Sequence, residues 1–231
     1  MEKIDLSKYK KIVFFTGAGM SAESGVPTYR GQGGIWKEYN FQEYACQEAF
    51  DRDPEKVLDF HEIRRKAVLE CYPHKGHEII ANLYNRHHVS VITQNIDGIH
   101  QRSGCEDVVE LHGSLWRVRC PVHGISKDLE PGFKNRKCPE CGNWLRPDIT
   151  WFGDMLNADV VNKAIAVISC CDLFINIGIS GVVYPAAGFP IHAKDNEARC
   201  ICINPEFPAD IEIYDEFIQG KAGDILPKIF C

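Results

Sequence analysis

Five short apolar runs along the chain predict the strands of a buried sheet. They occupy residues 12–15, 89–93, 108–111, 173–177 and 199–203, and each is bounded by polar or glycine-containing segments. Between them, segments with apolar residues three or four positions apart predict helices over 54–68, 75–86 and 158–170. Strands that alternate with helices indicate an α/β fold built on a parallel sheet.

The first of these helices has clear start signals. Asp53 suits the N-cap, Pro54 the first turn, and Glu55 the positive end of the helix dipole. His61 and Arg64 lie three positions apart within it, so we expect them to share one face of the helix.

The first apolar run continues into a glycine-rich turn that favours a phosphate group. Gly17 and Gly19 follow the strand, and Ala22 takes a third position where close packing of helix on strand allows only a small residue. Such a turn is expected to bring bare backbone N–H groups and a helix N-terminus to one point, which suits a pyrophosphate. A glycine turn with a purely structural role is the alternative.

The turn departs from the ordinary dinucleotide fingerprint, because no second strand ending in an acidic residue follows about 20 residues later. Residues 26–40 are instead rich in glycine and contain proline, which indicates a long loop. A long loop beside a phosphate site is more often a functional cover than a connector. Tyr29 and Arg30 lie within it.

Polar side chains follow the second and third apolar runs. Asn95 and Asp97 come just after the second run, and His112 directly follows the third. Ligands of open parallel sheets bind beyond the carboxyl ends of the strands, so we expect these side chains to converge there. The alternatives are that Asn95 and Asp97 only form a turn and that His112 lies at the surface.

Two copies of a Cys-Pro-x-ligand-Gly pattern predict a metal site. Cys120 and His123 form the first pair, and Cys138 and Cys141 form the second. Two turns of this kind can direct four nitrogen and sulfur ligands at one ion with the spacing of structural zinc sites. The parallel between the copies favours His123 over His100 or His192 as the fourth ligand. Four protein ligands leave no open position, so the expected role of one zinc is structural.

Composition and charge narrow the functional classes. A net charge of −6 gives no general attraction to nucleic acid. Eleven scattered cysteines are unlike a secreted disulfide framework and favour reduced thiols in the cytoplasm. The N-terminus lacks an apolar signal core, and polar residues interrupt the richest apolar stretch, 164–179, so we expect no contact with a membrane. We also expect a monomer.

Several motifs, in order along nearly the whole chain, resemble those of the sirtuins, the NAD-dependent protein-lysine deacylases. They are the segments 17–31, 93–97, 111–113, 151–154 and 181–185, together with the two metal-binding turns. The resemblance implies a doubly wound, Rossmann-like NAD-binding domain formed by residues 1–30, 88–116 and 150–231. It also implies an inserted small domain, composed of a helical module with the cofactor loop at 31–87 and a zinc-binding module at 117–149. The substrate lysine would lie in the cleft between the two domains.

The resemblance also assigns roles to individual residues. His112 matches the catalytic base, and imidazole titrates near the working pH. Gln94, Asn95 and Asp97 match the residues that hold the nicotinamide ribose, order a water and bind the carboxamide. The residues that match the family's phosphate turn and its cover loop are Gly17, Ala18, Gly19, Ala22, Tyr29 and Arg30. The remaining cofactor-binding positions are Ile96, Gly178, Ile179, Ser180, Asn204 and Ala222.

Two departures from the family pattern affect the cofactor and metal sites. Ile179 stands where the family usually has a hydroxyl side chain, so affinity for NAD is expected to fall. His123 replaces the usual cysteine, which remains compatible with zinc.

A further set of residues half-matches the sirtuins that prefer acidic acyl groups, the desuccinylases and demalonylases. That class has a small residue, Tyr and Arg where this chain has Ala45, His61 and Arg64. Arg64 would pair with the carboxylate at the end of the acyl chain. A solvated helix charge beside Arg65 and Lys66 is the alternative. We expect His61 to strengthen the preference as it protonates near pH 6.

The acyl-lysine peptide itself is expected to pair with two short strands. These carry Phe152 and Gly153 on one side and Val182, Val183 and Tyr184 on the other. The resemblance therefore predicts a deacylase that releases nicotinamide and O-acyl-ADP-ribose. Mono-ADP-ribosyl transfer or NAD hydrolysis at the same site is one alternative, and a non-catalytic module that binds NAD and zinc is another.

Overall fold

Six strands of the described part of the chain form a parallel sheet. The computed structural model describes residues 3–28, 34–35, 39–179, 181, 185–208 and 210–230. The strands are β1 (Ile12–Thr16), β2 (Val89–Thr93), β3 (Val108–Glu110), β7 (Leu173–Ile177), β8 (Arg199–Asn204) and β9 (Glu216–Gln219), in the order β3-β2-β1-β7-β8-β9. Each pairs in parallel with its neighbour. Five of the six strands match the predicted apolar runs, whereas β9 was not predicted. The order reverses between β1 and β7, which makes that point the topological switch.

Helices cover both faces of the sheet, so the sheet is doubly wound. One face packs Phe14 against α5 (Lys75–Tyr84) and α9 (Ala222–Phe230). The other packs Phe15 against α7 (Ala158–Ile168) and α8 (Phe189–Asp195). Two short helices, α1 (Ala18–Ala22) and α6 (Ile99–Arg102), follow the carboxyl ends of β1 and β2. These results confirm the Rossmann-like architecture.

Three helices form a separate layer between α1 and α5. They are α2 (Phe41–Tyr44), α3 (Gln47–Arg52) and α4 (Pro54–Leu69). The start of α4 is as predicted, since Asp53 caps it by accepting a hydrogen bond from the Lys56 N–H and Pro54 occupies its first turn. The predicted helical module extended to residue 87, but α5 packs against α9 in the sheet core. The described helical layer therefore ends before Lys75.

A small antiparallel sheet is inserted between β3 and α7. Its strands are β4 (Gly113–Cys120), β5 (Gly124–Lys127) and β6 (Arg146–Ile149), in the order β5-β4-β6. It carries the two metal-binding turns, and β4 begins before the predicted start of this module at residue 117. Leu115, Ile149 and Trp151 share a core with α3 and α4, so the inserted sheet packs on the helical layer.

No helix among the described residues is both long enough and apolar enough to cross a membrane.

Candidate functional site

The turn after β1 lies against the end of β7 at the switch point. The backbone N–H of Gly17 donates to the Ile177 carbonyl at 3.0 Å, and that of Gly19 donates to the Gly178 carbonyl at the same distance. A Cβ on Gly19 would lie 2.6 Å from the Gly178 Cα, so the glycines allow two backbones to meet. The prediction of bare amides is wrong for Gly17 and Gly19, because β7 and the residue after it already accept their hydrogen bonds.

A buried polar network joins this turn to the end of β2. The Asn95 side-chain amide donates to the Gly17 carbonyl at 2.8 Å and to the Ser21 hydroxyl at 2.9 Å. Asp97 is 5% exposed and accepts a hydrogen bond from the Ile99 N–H at 2.9 Å. Burial raises the pKa of the Asp97 carboxyl, while hydrogen bonds from Ile99 and Ser21 act in the opposite direction. Asn95 and Asp97 thus do more than form a turn.

His112 lies beside this network at the end of β3. Its Nδ1 is 2.9 Å from the carbonyl oxygen of Gln94, which can only accept, so Nδ1 carries the proton and Nε2 keeps its lone pair. Burial lowers the pKa of the half-buried His112, although the bond to Gln94 raises it. The side chain is therefore neutral at pH 7 and can accept a proton through Nε2.

The predicted substrate residues of the small domain meet around Trp151. The backbone N–H of Phe152 donates to the Ala45 carbonyl at 3.1 Å, and the Trp151 indole N–H donates to the Nε2 of His61 at 3.4 Å. Gly153 follows with a φ of +87°. Residues that lie far apart in the sequence therefore meet around one tryptophan.

His61 does not have the role expected for it. Its Nδ1 donates to the Val57 carbonyl at 2.8 Å, so its one donor is already used within α4. Burial lowers the pKa of His61 to about 3, and the charges of Arg64, Arg65 and Arg146 act in the same direction. The expected protonation near pH 6 is therefore wrong, because a neutral imidazole is retained well below that pH.

Arg64 is half-buried on the same helix. Its positive charge acts on His61 and also on the Asp97 carboxyl, where it lowers the pKa against the larger effect of burial. Arg64 also lies three positions after His61, so the two side chains share one face of α4. A half-buried arginine on that face differs from a helix charge directed only at solvent.

The four predicted metal ligands converge as a group. The ligand atoms of Cys120, His123, Cys138 and Cys141 all lie within 4.8 Å of one another. The Nδ1 of His123 is 3.3 Å from the Cys138 sulfur, and the sulfurs of Cys120 and Cys141 are 3.5 Å apart. Three sulfurs and one imidazole nitrogen suit a tetrahedral zinc ion.

The remaining predicted residues are distributed along the strand ends. Asn204 ends β8, where its amide donates to the Glu206 carbonyl at 2.8 Å. Among the remaining cofactor positions, Ile96, Ile179 and Ala222 are buried. Ala18 and Ala22 lie in α1, where Ala22 is exposed. Six predicted residues fall outside the described part of the chain: Tyr29, Arg30, Ser180, Val182, Val183 and Tyr184.

Sequence reasoning missed Ser21, although it lies inside the glycine-rich motif, and it also missed a row of histidines beneath α1. The rings of His74 and His77 are 4.3 Å apart between centroids, and those of His77 and His100 are 5.0 Å apart. His100 Nε2 lies 2.9 Å from the Thr16 hydroxyl. No periodic signal marks these residues, because they come from two separate helices.

Arg65 was also missed, since it was grouped with Lys66 among the solvated charges. It is fully buried. Its spacing from the buried residues His61 and Val68, four and three positions away, is the signal that could have identified it.

The family comparison agrees with this geometry. A model described as "Sir2 family" matches residues 17–185. "NAD-dependent protein deacylase 2" of Pyrobaculum aerophilum is 46% identical over 97% of this chain and 91% of its own length.

Two solved structures extend the comparison. A Sir2 homolog in complex with NAD is 39% identical, covers 96% of this chain and 89% of its own, and superimposes with a TM-score of 0.88. A Sir2 variant bound to a deacetylated p53 peptide and 3'-O-acetyl ADP ribose is 29% identical, covers 96% and 93%, and has a TM-score of 0.85. The family match spans most of the chain and the relatives match nearly all of it, and from this we conclude that the protein belongs to the Sir2 family.

Proposed function

We propose that the protein is an NAD-dependent protein-lysine deacylase that produces nicotinamide, the free lysine and an O-acyl-ADP-ribose. The observation that carries the proposal is His112, which keeps the Nε2 lone pair beside the Asn95 and Asp97 network at the switch point of the sheet. The names of the relatives support the same reaction.

Each polar residue of the site has a defined task in this reaction. NAD, when bound, supplies an ADP-ribosyl group with nicotinamide as the leaving group. Asn95 and Asp97 would hold the nicotinamide end, and Gln94 would contact its ribose while its carbonyl fixes the His112 ring. His112 would take a proton from the ribose hydroxyl through Nε2. The turn at Gly17, Ala18 and Gly19 would lie beside the pyrophosphate, and its two glycines let it pack against Gly178.

Zinc has a structural task in the proposed enzyme. Cys120, His123, Cys138 and Cys141 would occupy all four positions of a tetrahedral ion, which leaves none for a substrate or water. Zinc would therefore hold the two turns of the inserted sheet together and take no part in the chemistry.

The acyl group is proposed to be acidic, such as succinyl or malonyl. Arg64 is half-buried on the same face of α4 as His61, and it would form a two-pronged pair with a carboxylate at the end of the acyl chain. Ala45 would leave room for the acyl chain because its side chain is a single methyl group. His61 supplies no hydrogen bond, since Val57 takes its donor, so Arg64 carries the selectivity.

The peptide is proposed to bind between the segment at 152–154 and the segment at 182–184. Backbone pairing of this kind gives affinity with little dependence on sequence. Phe152 is 37% exposed and the centroid of its ring is 4.1 Å from that of Phe41, which ties this segment to the helical layer. The cleft between the sheet domain and the small domain is the proposed site of the substrate lysine.

One incubation with NAD and an acyl-lysine peptide tests the proposal. Mass spectrometry should detect the unmodified peptide, nicotinamide and O-acyl-ADP-ribose, and His112→Ala should produce none above background. A peptide that gains an ADP-ribosyl mass would indicate a transferase. Free ADP-ribose with intact acyl peptide would indicate an NAD hydrolase, and no consumption of NAD would indicate a non-catalytic module.

The cytoplasm and a monomeric state are proposed as the setting of this activity. None of the ten cysteines in the described part of the chain is in a disulfide, and three of them are the proposed zinc ligands. This use of cysteine supports a reducing compartment. The monomer stays a prediction, and light scattering coupled to gel filtration measures it directly.

A further inference from the structure

Arg65 is a buried cation in a helix that otherwise buries apolar side chains and His61. Its side chain has no exposed surface, and its Nε donates to the Leu115 carbonyl at 2.7 Å. Its Nη1 lies 3.1 Å from the Asp128 carboxylate. The central carbon of the guanidinium lies 4.0 Å from the centroid of the Phe133 ring. α4 thereby inserts one side chain into the zinc-binding module.

The contacts of Arg65 are specific to a guanidinium. Besides the Asp128 carboxylate, Nη1 also approaches the carbonyls of Glu130 and Gly132 at 3.3 and 3.4 Å. Burial lowers the pKa of Arg65, and the charge of Asp128 opposes that effect. A buried charge that loses its partner is strongly destabilising, so Arg65 and Asp128 hold each other in place.

The preceding turn of α4 is attached to the same loop. Glu62 accepts hydrogen bonds from the Phe133 N–H at 3.2 Å and from the Arg136 guanidinium at 2.9 Å. Loop 128–136 lies between the two metal-binding turns, so it links α4 to the inserted sheet. Attachment at Glu62 and at Arg65 fixes both the position of α4 along its axis and its rotation about that axis.

Rotation of α4 decides where Arg64 lies. Neighbouring residues of a helix project about 100° apart, because there are about 3.6 residues per turn. With Arg65 held in the loop, Arg64 lies on the same face of α4 as His61, whose ring accepts a hydrogen bond from Trp151 beside the expected substrate residues. A helix free to rotate by a fraction of a turn would move the Arg64 charge away from the acyl end.

We propose that Arg65, through Asp128, is a positioning residue for acyl choice: it sets the rotation of α4 that aims Arg64 at the acyl carboxylate. The inference rests on the proposed preference for acidic acyl groups. Arg65 is fully buried against Leu115 and Asp128, so it acts through its neighbour Arg64. The zinc-binding module thus contributes to specificity as well as to stability.

The test compares kcat/KM for succinyl- and acetyl-lysine versions of one peptide. Arg65→Met should lower the succinyl-to-acetyl ratio at least 10-fold, mainly through a higher KM for the succinyl peptide, while acetyl turnover changes less than about threefold. Asp128→Asn should shift the ratio in the same direction, and it serves as the second variant if Arg65→Met does not fold. Lys66→Met is the matched control, because it removes the next charge on an exposed position of the same helix.

A double variant separates positioning from a general loss of structure. Arg64→Met with Arg65→Met should have the same succinyl-to-acetyl ratio of kcat/KM as Arg64→Met alone, because no Arg64 charge remains for Arg65 to position. Equal losses for both peptides in Arg65→Met and Asp128→Asn, or a double variant with an additive loss, would overturn the inference. A wild type that prefers acetyl-lysine would instead reject the acidic preference itself, and it would remove the inference with it.

Discussion

The backbone N–H of Phe152 donates a hydrogen bond to the carbonyl oxygen of Ala45 at 3.1 Å. The bond joins the segment that follows the inserted sheet to the helical layer that precedes α5. Both residues were expected at the substrate site, one for the peptide and one for the acyl chain. Their contact places the two expected subsites next to each other, and the predictions below test what each residue around them does.

His112→Ala should lose about 10²- to 10⁴-fold in kcat, the usual contribution of a general base. NAD binding and Tm should stay close to wild type, because a half-buried side chain at a strand end leaves no large core cavity. Single-turnover kinetics and calorimetry measure the two effects. Near-wild-type deacylation by the variant would show that another group is the base.

The pH profile of the wild type gives an independent test of His112. Burial lowers the pKa of His112 below 6.5, so the side chain is more than half neutral at pH 6.5. Because the neutral form is the active base, kcat/KM should fall as the pH drops, with a midpoint below 6.5. A midpoint at or above 7 would contradict a buried, neutral base.

His123→Ala should lose zinc or bind it weakly, and its Tm should fall, since metal binding to such a site is coupled to folding. The control is His192→Ala, because the His192 ring bonds to Ser169 far from the cluster. Elemental analysis should find one zinc per chain in the wild type and in the control. Full zinc content in His123→Ala would point to a different ligand set.

Arg64→Met should reverse the acyl ranking by lowering kcat/KM for succinyl-lysine about 10- to 100-fold, the value of a charge-assisted hydrogen bond. Because the pKa of His61 is about 3, the wild-type ranking should be the same at pH 6 and pH 7.5. Lys66→Met again controls for loss of a helix charge. An unchanged ranking in Arg64→Met would assign the selectivity to another residue.

Stability should fall in mild acid because buried histidines are held neutral. Burial lowers the pKa of His61 to about 3 and of His100 to about 4, and it lowers that of His77 further. Between pH 6.5 and 4 the unfolded chain binds protons that the folded chain does not, so the free energy of unfolding decreases as the pH falls.

Each of these buried histidines contributes up to about 1.4 kcal/mol per pH unit to this decrease in the free energy of unfolding. Urea unfolding at pH 7, 6 and 5 measures the slope. His100→Gln should flatten the slope, whereas His88→Ala, at an exposed position, should not. Equal stability at pH 7 and 5 would contradict the neutral, buried state.

Most of the fold and the location of the site could be predicted from the sequence, for physical reasons. Parallel strands end at one edge, so polar residues after the apolar runs had to meet there. The repeated Cys-Pro turn defines its ligand set locally, which is why Cys120 and His123 were identified without tertiary information.

What could not be predicted depends on partners distant in sequence. Arg65 is buried because Asp128 and the Leu115 carbonyl receive it, and neither partner lies near it in the sequence. His61 folds back on the Val57 carbonyl, which depends on how Trp151 fills the space beside it. The amides of Gly17 and Gly19 are used at the end of β7, a strand that comes much later in the chain.

The position of β1 between β2 and β7 has a consequence for how the chain folds as it is made. Phe14 pairs in register with Val91 on one side and with Ile175 on the other, so β1 is made first but gains its second neighbour only late in synthesis. Pairing of strands so distant in sequence is slow, because a long loop must close before any contact forms. The inserted antiparallel sheet joins strands close in sequence and can form on the ribosome before β7 emerges. A nascent chain that stops before Leu173 therefore exposes one whole edge of β1.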